Sequence, residues 1–358
     1  MLAITALVIL FTVLLSACND GHGVSDSGST ADGGGMADTD SPIPTDPCGK
    51  KLSVHNGTVH PDFGVVPDGG VFIGDPVEEG PFKTIAADST LTNPDPTRGP
   101  VNVTVYSPSK DGLTPIPGPF GMIVLLPGFT STHKDYLSFT THFVSHGFAV
   151  LGVTPAWFDM EHDANNPASV AEIRSAIDWA LQNDPLSGRV DLDKIVAAGH
   201  SAGGKLAFFT AAMDARIKIV IGWDPQNGGG PPCFVDATTC ERWPVAPVCD
   251  PDRGVEDPGI MYKINAETMI FAARDEIITP DKQLWAENFY RGAPSPAHIV
   301  IFKTARHTDW PAGAPADATK RVQLSLLMAR LMGVRGLESY LPGGGYIAGL
   351  PDVTQYNK

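Results

Sequence analysis

Residues 194–215 constrain this chain more than any other stretch. An apolar strand, Lys194–Ala198, runs into Gly199-His200-Ser201-Ala202-Gly203-Gly204 and then into a helix over Gly203–Ala215. A G-x-S-x-G turn between a buried strand and a helix closes only if the serine takes a strained, positive-φ conformation. A side chain two residues to either side would strike the neighbouring strand or helix, so positions 199 and 203 call for glycine. The turn lifts the Ser201 hydroxyl above the sheet at a helix N-terminus, where backbone amides favour developing negative charge. The alternative is a glycine-rich packing turn with an idle serine.

The flanks repeat the pattern. Strands are expected at Val101–Tyr106, Gly121–Leu126, Ala149–Thr154, Lys218–Gly222, Thr268–Ala273 and His298–Phe302, and helices at Phe139–His146, Ser169–Gln182 and about Asp317–Gly333. Gly121–Leu126 is an unbroken apolar run, as in a strand buried on both faces. Alternating strands and helices imply a mostly parallel sheet covered by helices on both sides. Asp224 to Gly259 breaks the rhythm: rich in Gly and Pro, it carries Cys233, Cys240 and Cys249 and follows Lys218–Gly222, taken as the sixth strand of the sheet. It reads as an insertion at the carboxyl end of a strand, where ligand crevices form.

The N-terminus has another character. Leu2–Ala17 is sixteen uncharged residues, short of the ~20 a spanning helix needs. It ends in Leu15-Ser16-Ala17-Cys18, and no Lys or Arg precedes it. It resembles a bacterial lipoprotein signal over residues 1–17, with Cys18 as the lipid attachment point. An ordinary secretory signal is the alternative. Residues 18–50 form an acidic tether, holding Asp20, Asp26, Asp32, Asp38, Asp40 and Asp46 with no aromatic and no basic partner before Lys50. Residues 51–358 are then the folded domain. The expected location is the bacterial cell envelope, with the membrane touched through the lipid alone. Beyond Cys18, the even set Cys48, Cys233, Cys240 and Cys249 suits two disulfides of undetermined pairing; its spacing does not fit zinc. A net charge of −15 argues against nucleic acid as a partner.

A serine becomes a nucleophile only with a base, and the base needs an orienting acid; on such an elbow they follow in chain order, acid then histidine. His307, just after the strand His298–Phe302, is the base by order and placement. His133, His142, His146 and His162 precede the serine, His298 opens a strand, and His200 faces away from its neighbour on the turn. For the acid, Asp275 ranks first, Asp224 second and Glu276 third, each following a strand. The oxyanion hole is expected from the amides of Ala202 and of Phe129, in the loop after Gly121–Leu126. Phe129 would also line an acyl pocket. Trp157, Trp223 and Trp310 suit either its wall or ordinary packing.

With these residues in place the chain resembles the α/β-hydrolases, in particular the branch of chlorophyllases and cutinase-like polyester hydrolases. Pro127-Gly128-Phe129-Thr130 is similar to the polyester hydrolases' oxyanion loop, and Ser145-His146-Gly147-Phe148-Ala149-Val150 to a segment of both groups. Gly199-His200-Ser201 through Lys205, and Ile221-Gly222-Trp223-Asp224-Pro225, look more like chlorophyllases. Leu337-Glu338-Ser339-Tyr340-Leu341 looks like the segment after the last helix. The resemblance covers about Val101 to Leu341. Ala202 departs from it, since chlorophyllases usually carry arginine there and polyester hydrolases often methionine. The branches also differ over the acid, one favouring the Asp224 region and the other the Asp275 region. The resemblance implies a serine-dependent carboxylic ester hydrolase, monomeric, with a small or polymeric ester substrate and no metal or cofactor. The alternatives are a non-catalytic ligand-binding surface lipoprotein and an amide or peptide hydrolase.

Overall fold

The computed structural model describes residues 70–156, 166–183, 185–226, 248–250, 255–257, 260–274, 283–310 and 315–358. The signal, the tether, Cys18, Cys48, Cys233, Cys240, Trp157, Asp275 and Glu276 lie outside them.

Nine strands form one sheet in the order β1-β2-β4-β3-β5-β6-β9-β10-β11. They are β1 (Lys83–Leu91), β2 (Val101–Ser109), β3 (Phe120–Leu126), β4 (Ala149–Thr154), β5 (Val190–His200), β6 (Ile217–Trp223), β9 (Glu267–Ala273), β10 (Ala297–Phe302) and β11 (Val353–Asn357). The pairs from β4 through β10 are parallel, as the alternation predicts. β2 joins β1 and β4 antiparallel, and β11 joins β10 antiparallel. β7 (Val248–Asp250) and β8 (Val255–Asp257) pair as a separate antiparallel ribbon in the expected insertion, with Cys249 midway along β7.

β3, β4, β9 and β10 are buried along their whole length, which explains the unbroken apolar run of β3 and the mainly apolar sequences of the other three. Helices α1 (Leu137–Ser145) and α5 (Ala316–Met332) cover one face, where Phe139, Phe143, Leu324 and Leu327 join the core with Ile123, Val196 and Phe271. On the other face lie α2 (Asn166–Gln182), α3 (Ala202–Met213) and α4 (Gln283–Gly292), with Phe208 of α3 stacked on Phe289 of α4 at 4.9 Å.

Two buried histidines make this packing acid-sensitive. His133 is held between the hydroxyls of Thr104 (2.7 Å) and Thr154 (2.8 Å), in space left by Gly152, whose added Cβ would fall 2.5 Å from the ring. His142 donates from Nε2 to the carbonyl of Pro76 at 2.8 Å. Burial lowers the first to about 4 and the second to about 3, from 6.5. The unfolded chain therefore binds protons below pH 6.5 that the folded chain refuses, so their contribution to stability is complete above 6.5 and lost as pH falls. At about 1.4 kcal/mol per pH unit for each, the two together should cost roughly 4 kcal/mol between pH 7 and pH 5. Urea titrations at those two pH values check this as a fall in the unfolding midpoint.

Candidate active site

Strand order reverses between β3 and β5, which run parallel as neighbours although their chain connections leave in opposite directions. That reversal opens a crevice at the carboxyl ends of the strands, and the loops after β3 and β5 meet in it. Ser201 terminates β5 and caps α3 at φ 57°, ψ −122°, the strained elbow that the glycine pattern predicts. A Cβ on Gly199 would lie 2.4 Å from the carbonyl oxygen of Gly203; one on Gly203 would lie 2.2 Å from that of Pro127 at the end of β3. Three backbone bonds hold the strained residue: Ser201 N–H to the Trp223 carbonyl (3.0 Å), and Lys205 and Gln226 N–H to the Ser201 carbonyl (3.1 Å each).

The Ser201 hydroxyl lies 2.9 Å from Nε2 of His307, 106 residues away in sequence. Nδ1 of the same ring lies 2.5 Å from Oδ2 of Asp224. Because the carboxylate only accepts, Nδ1 carries the proton and Nε2 presents its lone pair to the serine. Asp224 is itself fixed. Its Oδ1 accepts the Ala273 N–H at 3.1 Å, its own N–H reaches the Phe271 carbonyl at 2.6 Å, and its φ is 46°. His307 opens a 3₁₀ turn in which Arg306 N–H bonds Asp309 Oδ2 at 2.9 Å. Sequence order puts Asp275 first as the acid and Asp224 second; Asp275 lies outside the described residues, and the bond at Nδ1 goes to Asp224. Parallel pairing of β6 with β9 tucks the residue after β6 against the β9 backbone, and that anchors the carboxylate beneath the histidine.

The loop after β3 lies against the elbow, since a Cβ on Gly128 would approach Ser201 Cβ to 3.4 Å. Ala202 is the first residue of α3, where an N–H has no acceptor within the helix, and Phe129 stands half-buried in the facing loop. Among the described residues four non-glycines have positive φ, and Thr130, Ser201 and Asp224 of those four line this crevice. Strain of this kind persists only where its surroundings enforce it, and it collects at functional sites.

Two aromatic expectations resolve toward packing. Trp223 is fully buried, stacked on Phe139 at 4.6 Å, with its indole N–H on Gln323 at 2.9 Å. Trp310 is fully buried beside Phe302 and Phe271, where it anchors the turn that carries His307. Neither walls an acyl pocket. Tyr136, His200 and Gln226 adjoin the site without having been singled out for it. Gln226 places its side-chain amide 3.2 Å from Nδ1 of His307. Its nearness to Asp224 in sequence was the one available signal.

The chain is similar to several known proteins. Residues 75–234 match the model of the family described as Chlorophyllase. The chain is 31% identical to Chlorophyllase-2 of Arabidopsis thaliana over 140 residues, 35% of this chain and 42% of that protein. It is 24% identical to the bis(hydroxyethyl) terephthalate hydrolase of Streptomyces coelicolor over 237 residues, 62% of each. It is 26% identical to cutinase est1 of Thermobifida alba over 127 residues, 35% of this chain and 39% of the other. The matches thus span less than two thirds of each of these relatives. By its sheet and its elbow the chain has the α/β-hydrolase fold, and its sequence is similar to the chlorophyllases and to the bacterial cutinases and terephthalate hydrolase.

Proposed function

We propose that the chain is a serine-dependent carboxylic ester hydrolase. The observation that carries the reading is the unbroken bond series from Ser201 Oγ through His307 to Asp224 at the N-terminus of α3. His307 Nε2 takes the hydroxyl proton as Ser201 Oγ attacks the ester carbonyl carbon. The resulting tetrahedral oxyanion accepts hydrogen bonds from the amides of Ala202 and Phe129. Asp224 stabilises the imidazolium, which then protonates the departing alcohol. The acyl-enzyme that remains is cleaved by water through the same steps, returning the proton to Ser201. The relatives named above, a chlorophyllase, a bis(hydroxyethyl) terephthalate hydrolase and a cutinase, support the ester as the bond cleaved. In the same reading Cys18 carries a lipid that holds the domain at the cell envelope, a suggestion resting on Leu15-Ser16-Ala17-Cys18.

A fluorophosphonate probe, paired with matched p-nitrophenyl ester and p-nitroanilide substrates, tests the proposal. Labelling at Ser201 and turnover of the ester well above the anilide are expected. An unlabelled, inactive protein would point to ligand binding alone, and preference for the anilide to amide hydrolysis.

A further inference from the structure

We propose that Tyr136 and His200 form a positioning relay that ties the oxyanion loop to the turn carrying the histidine base. This rests on the ester-hydrolase reading. Gly128 N–H reaches the Tyr136 hydroxyl oxygen at 3.0 Å, that hydroxyl lies 2.7 Å from His200 Nδ1, and His200 Nε2 lies 2.8 Å from the backbone carbonyl of His307. Chemistry sets every direction in this series. A carbonyl only accepts, so Nε2 of His200 bears the proton; Nδ1 then offers a lone pair and accepts the phenol O–H; the phenol oxygen in turn accepts the Gly128 amide.

The relay is shielded and stays neutral. Tyr136 and His200 are both buried, with Tyr136 stacked on Trp223 at 6.2 Å and the His200 ring 4.7 Å from that of His307. Burial pushes the Tyr136 phenol up to about 12 and holds His200 well below the usual histidine range. Sterics point the same way. A Cβ on Gly128 would lie 2.9 Å from His200 Nδ1 and 3.1 Å from the Tyr136 oxygen, so only glycine lets the loop approach the pair. The Phe129 amide follows directly on Gly128, and the His307 backbone carbonyl accepts from His200 at the other end. One rigid unit thereby fixes the distance between an oxyanion donor and the proton-transferring ring. Both act in the transition state rather than in substrate binding.

Tyr136→Phe keeps the ring and its stacking and removes one oxygen. At a temperature where circular dichroism shows full folding, kcat for a p-nitrophenyl ester should fall about tenfold with KM within about twofold, as expected for a buried hydrogen bond made in a preorganised site. Imidazole nitrogen NMR should show His200 as the Nε2–H tautomer in the parent protein and a loss of that single state in the variant. His200→Gln, whose amide supplies both an acceptor and a donor, should keep kcat within about threefold, whereas His200→Leu should lose it about as far as Tyr136→Phe. A role confined to packing would lower the melting temperature and leave kcat in the folded protein unchanged, and that result would overturn the relay. So would an Nδ1–H tautomer in the parent. If the parent turns over no ester at all, the proposed function fails, while the tautomer still reports on the bond series independently.

Discussion

Replacing Ser201 by alanine should reduce kcat for a p-nitrophenyl acyl ester by about a million-fold, to the residue supplied by the oxyanion donors and binding alone. Among the described residues the proton acceptor and the acid both converge on this one hydroxyl: 2.9 Å from Oγ to His307 Nε2, then 2.5 Å from Nδ1 to Asp224. The fold should not change. The strained φ of 57° is enforced by the backbone bonds to Trp223, Lys205 and Gln226, which alanine retains, and alanine fills the same Cβ position. A melting temperature within a degree or two of the parent, beside collapsed turnover and lost fluorophosphonate labelling, is the expected pairing. Turnover that survives would place the chemistry elsewhere on the molecule.

How far the sequence could be read depended on where each signal is encoded. β3 shows as an apolar run because both of its faces are buried, and the elbow shows because a Cβ on Gly199 would strike the Gly203 backbone and one on Gly203 the backbone at the end of β3. The edge strands β1 and β11 escaped notice. Lys83–Leu91 and Val353–Asn357 pair on one side only and are half-buried or exposed along their length, so neither needs an apolar run or a strict alternation. Trp223 and Trp310 were ambiguous because bulk and hydrophobicity are shared by core and cleft alike. What separates them is a partner remote in sequence, such as Gln323 a hundred residues beyond Trp223. His200 was read as facing away from Ser201, yet its partners, Tyr136 and His307, lie 64 and 107 residues off. Local spacing cannot carry such a relation.

Experiment separates the candidate acids cleanly. Chain order admits Asp224, Asp275 and Glu276 alike, since each lies between Ser201 and His307 in sequence. Register decides, because the β9 amide of Ala273 takes one oxygen of Asp224 and leaves the other for His307. Asp224→Asn should therefore lower kcat by about ten-thousand-fold with KM little changed. The asparagine carbonyl can keep the Ala273 bond, so the protein folds; its NH₂ then faces Nδ1 of His307 and donates to it. That forces the proton onto Nε2, where the ring can no longer accept from Ser201. Asp275→Asn should stay within about threefold of the parent. Kinetics of the two variants on one p-nitrophenyl ester, with His307 imidazole nitrogen NMR, test both halves: the Asp224 variant must show the exchanged tautomer as well as the lost rate. Should the losses be reversed, Asp275 would be the orienting acid and the Asp224 carboxylate would serve only to tie β6 to β9.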